Sequence, residues 1–198
     1  MRIMEDVTNT IEIKKSKFIT YLHRTNDEQE AKEFLKQIKK SHPQARHYCT
    51  AMIISNIVRS NDDGEPSQTA GHPMLDVLLH NQMEDIFVVV VRYFGGIKLG
   101  TGGLVRAYSS SVKEALDKAT KSETKLLEEY TITFGYDLIG KLDAYFRTHQ
   151  IEITLKDYNE QVTYQYLTDH DITSDLKELS NGSIQPISIG QIEWETPI

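Results

Sequence analysis

Two segments hold most of the side chains able to do chemistry: SNDDGEPSQTAGHP, residues 60–73, and RYFGGIKLGTGGLVRAY, residues 92–108. In the second, Gly95, Gly96, Gly100, Gly102 and Gly103 supply five of the chain's 11 glycines, between an apolar β-type run and a helical pattern. Glycine lets a ligand approach the bare backbone, and a helix beginning there offers unpaired N–H groups at the positive end of its dipole. Such a loop suits an anion, for instance a phosphate, with Lys98 and Arg106 adding charge. It also suits a tight turn that packs a helix close to a sheet. In the first segment Asp62, Asp63 and Glu65 offer oxygen donors for Mg²⁺ beside a phosphate, or carboxylates that clamp the loop through its own backbone amides. Asp-Gly followed by Glu-Pro is ordinary turn chemistry, and the clamp is the preferred reading. Thr69, His72, Arg92 and Tyr93 complete the candidate ligand-binding set.

The named nucleotide motifs do not fit. A dinucleotide fingerprint begun at Gly100 puts Val105 where the third small residue belongs, and a P-loop begun at Gly95 puts Thr101 and Gly102 where Lys and Ser/Thr belong. His42, His47, His72 and His80, with Cys49, match no zinc spacing and are expected on the surface or in loops. Ser67, Thr69 and Ser109–Ser111 lack a Gly-x-Ser-x-Gly elbow, and Tyr108 with Ser109 onward reads as helix surface. No catalytic residue, resident metal or cofactor is therefore assigned. What remains is basic and aromatic: Arg46, His47, Arg59, His72, Arg92, Tyr93, Phe94, Lys98 and Arg106. Should the two segments meet in space, these form a positive patch with stacking surfaces, as single-stranded RNA binding requires; otherwise they are scattered surface charge.

The rest of the chain must position these residues. Its 198 residues suit one large or two small domains, and 39% hydrophobic and 26% charged residues are ordinary globular values. The longest apolar run, Ile86–Val91, is far shorter than the roughly 20 residues of a membrane-spanning helix, and MRIMEDVTNT has no signal core, so a cytoplasmic location is expected. The single cysteine, Cys49, excludes an intrachain disulfide. A net charge of −7 argues against sequence-independent wrapping of nucleic acid, leaving any RNA contact to a local patch.

Alternation predicts neighbouring strands over Ile11–Lys15 and Phe18–Leu22, separated by Ser16-Lys17. Thr25 and Glu28 suggest a capping box before a helix through Ala31, Phe34, Leu35 and Ile38, closed by Pro43. Tyr48–Ile54 and Ile86–Val91 read as strands, the latter central and buried on both faces. Between them lie a polar loop and a short helix from about Pro73 to Asn81. A long helix carries Leu104, Val105, Tyr108, Val112, Ala115, Leu116 and Ala119 on one stripe. The order is β-β-α-β-α-β-α. The polar stretch Ala119–Glu129 is taken as the domain boundary, and the remainder reads β-α-β-β-α-β, the ferredoxin-like split unit, with its regularly spaced apolar residues all in the core. The fold class is α+β.

DDGEPSQTAGHP and RYFGGIKLGTGGLVRAY resemble the signature of the YigZ/IMPACT family. Asp62, Asp63, Gly64, Glu65, Pro66, Thr69, Ala70, Gly71 and Pro73 match the first block, and Tyr93–Tyr108 the second almost without interruption. Gln68 stands where glycine is usual and His72 where Arg or Lys is usual. The resemblance covers the chain to about residue 120, and the tail is similar to the C-terminal domain of bacterial YigZ-type members. It implies a ribosomal protein S5 domain 2-like domain over residues 1–122 and a ferredoxin-like domain over 130–198, an order that resembles the last two domains of elongation factor G. Eukaryotic relatives are translational regulators that compete for a partner activating a stress kinase. Three expectations follow. The first is a non-enzymatic, translation-associated module binding RNA or the ribosome through the two glycine-rich segments. The second is a protein or hydrolase acting on a phosphorylated small molecule or nucleotide, and the third is a protein-interaction module.

Overall fold

The computed structural model describes all residues, 1–198, and divides into two units: residues 1–123 with 197–198, and residues 124–196. In the first unit the elements are β1 (Arg2–Ile3), β2 (Val7–Ile13), β3 (Ser16–Arg24), α1 (Glu28–Ser41), β4 (His47–Ile54), β5 (Ile57–Asn61), α2 (Gly71–His80), β6 (Ile86–Tyr93) and α3 (Thr101–Lys118). Strands β2 to β6 form one antiparallel sheet in the order β2-β3-β6-β4-β5.

The unbroken apolar sequence of β6 follows from its central position. Successive side chains of a strand point to opposite faces. Val88 and Val90 join a core with Met74 and Leu78 of α2 and Tyr108 and Val112 of α3. Phe87, Val89 and Val91 join a second core with Ala31 and Ile38 of α1. Both faces are covered, so neither set of positions is polar.

Several local expectations are corrected. The β2–β3 hairpin turns at Lys14 and Lys15, both at positive φ, with Ile13 opposite Ser16, so Ser16-Lys17 belongs to the strand. Lys-Lys carries none of the Asn-Gly character by which such turns are recognised. Asp27, not Thr25, caps α1, its carboxylate accepting from Gln29 N at 2.9 Å; Thr25 bonds instead to Asp27 N and the Glu30 carboxylate. Helix α2 starts two residues earlier than Pro73. Strand β5 lies where a polar loop was expected, because it is an edge strand whose last four residues are exposed and carry no apolar alternation.

The second unit continues from β7 (Lys121–Phe134), which occupies the stretch expected to hold the boundary, through α4 (Ile139–Thr148), β8 (Glu152–Tyr158), β9 (Val162–Thr168), α5 (Thr173–Leu179) and β10 (Ile187–Pro197). This is the β-α-β-β-α-β order. Strand β9 lies between β7 and β8, and β10 also pairs with β7. Ile132, Phe134, Leu142, Phe146, Tyr164, Tyr166 and Leu176 make its core. Leu155, Ile187, Ile189 and Ile192 are exposed, against expectation. Period-two spacing identifies a common face of a strand, and no residue of β10 enters the core built on α4 and α5.

Candidate functional site

The first glycine-containing segment joins β5 to α2, and its acidic residues spend their oxygens on the protein itself. Asp62 Oδ1 accepts from Ala70 N at 3.0 Å and Gly71 N at 2.8 Å, while Oδ2 accepts from Gln68 N at 2.7 Å. Since Ala70, the N-cap of α2, has no capping side chain, Asp62 satisfies that helix start from eight residues away. Asp63 Oδ2 accepts from Tyr48 N at 2.7 Å, and its carbonyl accepts from His47 Nδ1 at 3.0 Å. Thr69 is buried and donates its hydroxyl to Pro66 O at 2.7 Å. These bonds are those of a loop clamp, and no group of three or more His, Cys, Asp or Glu is placed to hold a metal.

Glu65 is buried too. Its Oε1 accepts from Arg92 Nη1 at 2.6 Å and from Tyr108 Oη at 2.8 Å, with the Glu65 and Arg92 side chains only 4% and 7% exposed. Tyr108 is therefore a core residue and not helix surface. Its Oη also lies 3.3 Å from Cys49 Sγ, which approaches Asp62 O at 3.0 Å. Burial drives the Tyr108 phenol well above its ordinary value and pushes the Cys49 thiol up to about 12. Both stay protonated near neutral pH, so Cys49 is a hydrogen-bond donor rather than a nucleophile.

The second segment runs from the end of β6 into α3. A Cβ on Gly95 would lie 2.0 Å from the Lys15 carbonyl carbon and oxygen, so glycine is required where this loop crosses the β2–β3 turn. Gly96 and Gly100 have positive φ, Gly100 being the N-cap of α3, and a Cβ on Gly103 would come within 3.1 Å of Leu99 Cβ. Gly102 differs. It is helical, and a Cβ there would meet nothing within 4 Å, so the fold makes no demand for glycine at that position.

The two segments converge on one groove of about 580 Å³. Of the expected residues it gathers Glu65, Arg92, Tyr93, Lys98 and Gly100, together with Arg46, His47 and Phe94 from the basic and aromatic cluster. Gln44 and Thr101 also line it and escaped the candidate set; Thr101, between Gly100 and Gly102, was signalled by its position, and Gln44 by nothing local. Asp62, Asp63 and Thr69 are engaged in the clamp instead. His72 is exposed on α2 with Nε2 3.7 Å from Asp76, Arg106 is exposed on α3, and Arg59 pairs with Glu28 at 2.6 Å; none of the three lines the groove. Arg46 and Lys98 are exposed and form no ion pair, whereas Glu65, the carboxylate in the lining, is neutralised by Arg92. The charge the groove presents to solvent is therefore positive on a protein of net charge −7.

Behind Tyr93 lies a further group that sequence spacing did not reveal. His42 Nε2 is 2.6 Å from Tyr21 Oη and its Nδ1 is 2.9 Å from Tyr93 Oη, 51 residues along the chain. Burial, and secondarily Lys17, hold the imidazole below its ordinary pKa. His42, in the loop after α1 as expected, thus bridges two tyrosines, whereas His47 opens β4 and is bonded to Asp63, a structural role in place of the surface or loop role expected of it.

All the residues that line this groove fall within a stretch that matches a known protein domain. The Impact N-terminal domain model matches residues 14–116. The chain is 42% identical over 187 residues to IMPACT family member YvyE of Bacillus subtilis (strain 168), covering 91% of this chain and 86% of that one. It is 38% identical over 192 residues to IMPACT family member YigZ of Escherichia coli (strain K12), covering 92% and 94%. A crystal structure described as that of a hypothetical protein superposes with a TM-score of 0.58 at 38% identity, covering 94% of this chain and 95% of the other. On the matched domain and these near full-length relatives, the chain belongs to the IMPACT family.

Proposed function

We propose that the protein is a non-enzymatic, translation-associated module of the cytoplasm that binds RNA or the ribosome through the groove between its two glycine-containing segments. In this reading the first unit is a ribosomal protein S5 domain 2-like domain and the second a ferredoxin-like domain, in the order of the last two domains of elongation factor G. The observation that carries it is the asymmetry of charge in the groove: Arg46 and Lys98 are exposed without ion pairs while Glu65 is buried and neutralised. A groove of that sign, next to an exposed aromatic ring and the start of an 18-residue helix, suits a phosphodiester backbone. Against a hydrolytic role stand the engaged carboxylates and the raised thiol pKa, which supply neither a free general base nor a nucleophile.

Cosedimentation with ribosomes and with total RNA tests this. At low salt the wild-type protein pellets with one or both, and binding weakens as salt rises. Lys98→Ala lowers affinity and reduces the salt slope by about 1, with the thermal unfolding midpoint unchanged. A wild-type protein that stays in the supernatant at low ionic strength rules the reading out.

A further inference from the structure

Phe94 follows β6 directly and leaves 56% of its surface exposed. It belongs to none of the three hydrophobic cores, and the contact its ring makes within the protein is with Arg92. Its position is nevertheless fixed from behind. The Arg92 guanidinium, anchored on Glu65 at 2.6 Å, lies with Cζ 5.7 Å from the Phe94 ring centroid and 5.5 Å from that of Phe18. Since Arg92 is only 7% exposed, a buried cation backs one face of Phe94 and the exposed area belongs to the rest of the ring, in the groove that Lys98 and Arg46 also line.

A flat, pre-oriented aromatic surface in a groove that also holds unpaired cations is complementary to a base and the phosphates that flank it. An unpaired base has a free π-face to place on Phe94; a base within a duplex is already stacked on both faces. An acidic peptide would use the cations but gain little from the ring. Resting on the RNA reading above, we infer that Phe94 is a stacking platform for an unpaired base of single-stranded RNA, with Lys98 and Arg46 taking the flanking phosphates. Gly102 has the character such a contact needs: it leaves the first turn of α3 bare beside Thr101, where no part of the fold requires a missing side chain.

The test is fluorescence anisotropy of the full chain with a labelled oligoadenylate, the corresponding RNA duplex, and inorganic polyphosphate and polyglutamate as competitors. The wild-type protein prefers the single strand to the duplex. Phe94→Ala and Phe94→Leu lower its affinity for the single strand about ten-fold, while the polyphosphate inhibition constant and the salt slope stay at wild-type values. Phe94→Trp restores binding. Equal losses for oligoadenylate and polyphosphate, no loss for either, a preference for duplex, or competition by polyglutamate as strong as by RNA each overturn the stacking assignment. If the wild-type protein binds RNA and the Phe94 variants bind it equally well, only this assignment falls. If the wild-type protein binds neither RNA nor polyphosphate, the RNA reading falls with it.

Discussion

Asp62 gives both carboxylate oxygens to backbone amides of its own loop, whereas Lys98, in the other glycine-containing segment, has no ion pair at all. The same contrast runs through their neighbours. Asp63, Glu65 and Thr69 each bond to protein partners within 3 Å, while Phe94 and Gly102 face space the fold leaves open. The residues of the two segments thus divide into a set whose bonds maintain the groove and a set left open to solvent in the groove or beside it. The physical mark of the division is whether hydrogen-bonding capacity is already satisfied inside the protein.

The largest effect that can break this contrast is at Glu65. Glu65→Ala strands the buried Arg92 guanidinium and is expected to cost about 3–5 kcal/mol in denaturant unfolding, with Glu65→Gln costing less because it keeps an acceptor for Arg92 and Tyr108. An unchanged midpoint in Glu65→Ala would remove Glu65 from the maintaining set. Next comes Asp62→Ala, which frees two amides at the start of α2 and that of Gln68 in the loop before it, and should cost about 2 kcal/mol. Gly102→Ala has the opposite sign: removing a glycine from a helix should stabilise the protein by up to about 1 kcal/mol, yet weaken RNA binding. A Gly102→Ala protein that is more stable and binds normally would return that position to the scaffold.

The smallest effect concerns pH and is given by its sign. Because burial holds His42 below its ordinary pKa of about 6.5, the unfolded chain accepts a proton that the folded chain refuses as pH falls through that value. Folding stability therefore drops on acidification below about 6.5 and is fully present above it. Unfolding midpoints measured across that range should show the slope in wild-type protein and a shallower one in His42→Gln.

Much of this was legible in the sequence, and the omissions have physical causes. Strand β6 and most of the α3 stripe rest on apolar periodicity that the structure uses directly, although Val105 is exposed and Ala119 lies just past the helix; in the second unit the element order was legible, but the apolar spacing of β8 and β10 marks faces that stay largely exposed. Edge strand β5 was invisible because an edge needs little apolar burial. The meeting of the two segments was a conjecture from composition, and the Glu65–Arg92–Tyr108 cluster was not seen at all, since its members are 27 and 43 residues apart and no period links them. Gln68 is an instructive middle case. It takes φ 60°, a conformation glycine adopts without strain, at the position where the family resemblance has glycine. The departure in sequence could be read; the backbone conformation it must adopt could not.

If the division is right, ligand contact falls on the groove-lining set and spares the maintaining set. Backbone amide chemical-shift mapping during titration with a single-stranded RNA oligonucleotide tests it residue by residue. The largest perturbations are expected at Arg46, Phe94 and Lys98 through Gly103, with the amides of Gln68, Ala70 and Gly71 held by Asp62 little changed. Perturbations concentrated in the second unit, or none near Lys98 while RNA binds, would contradict it.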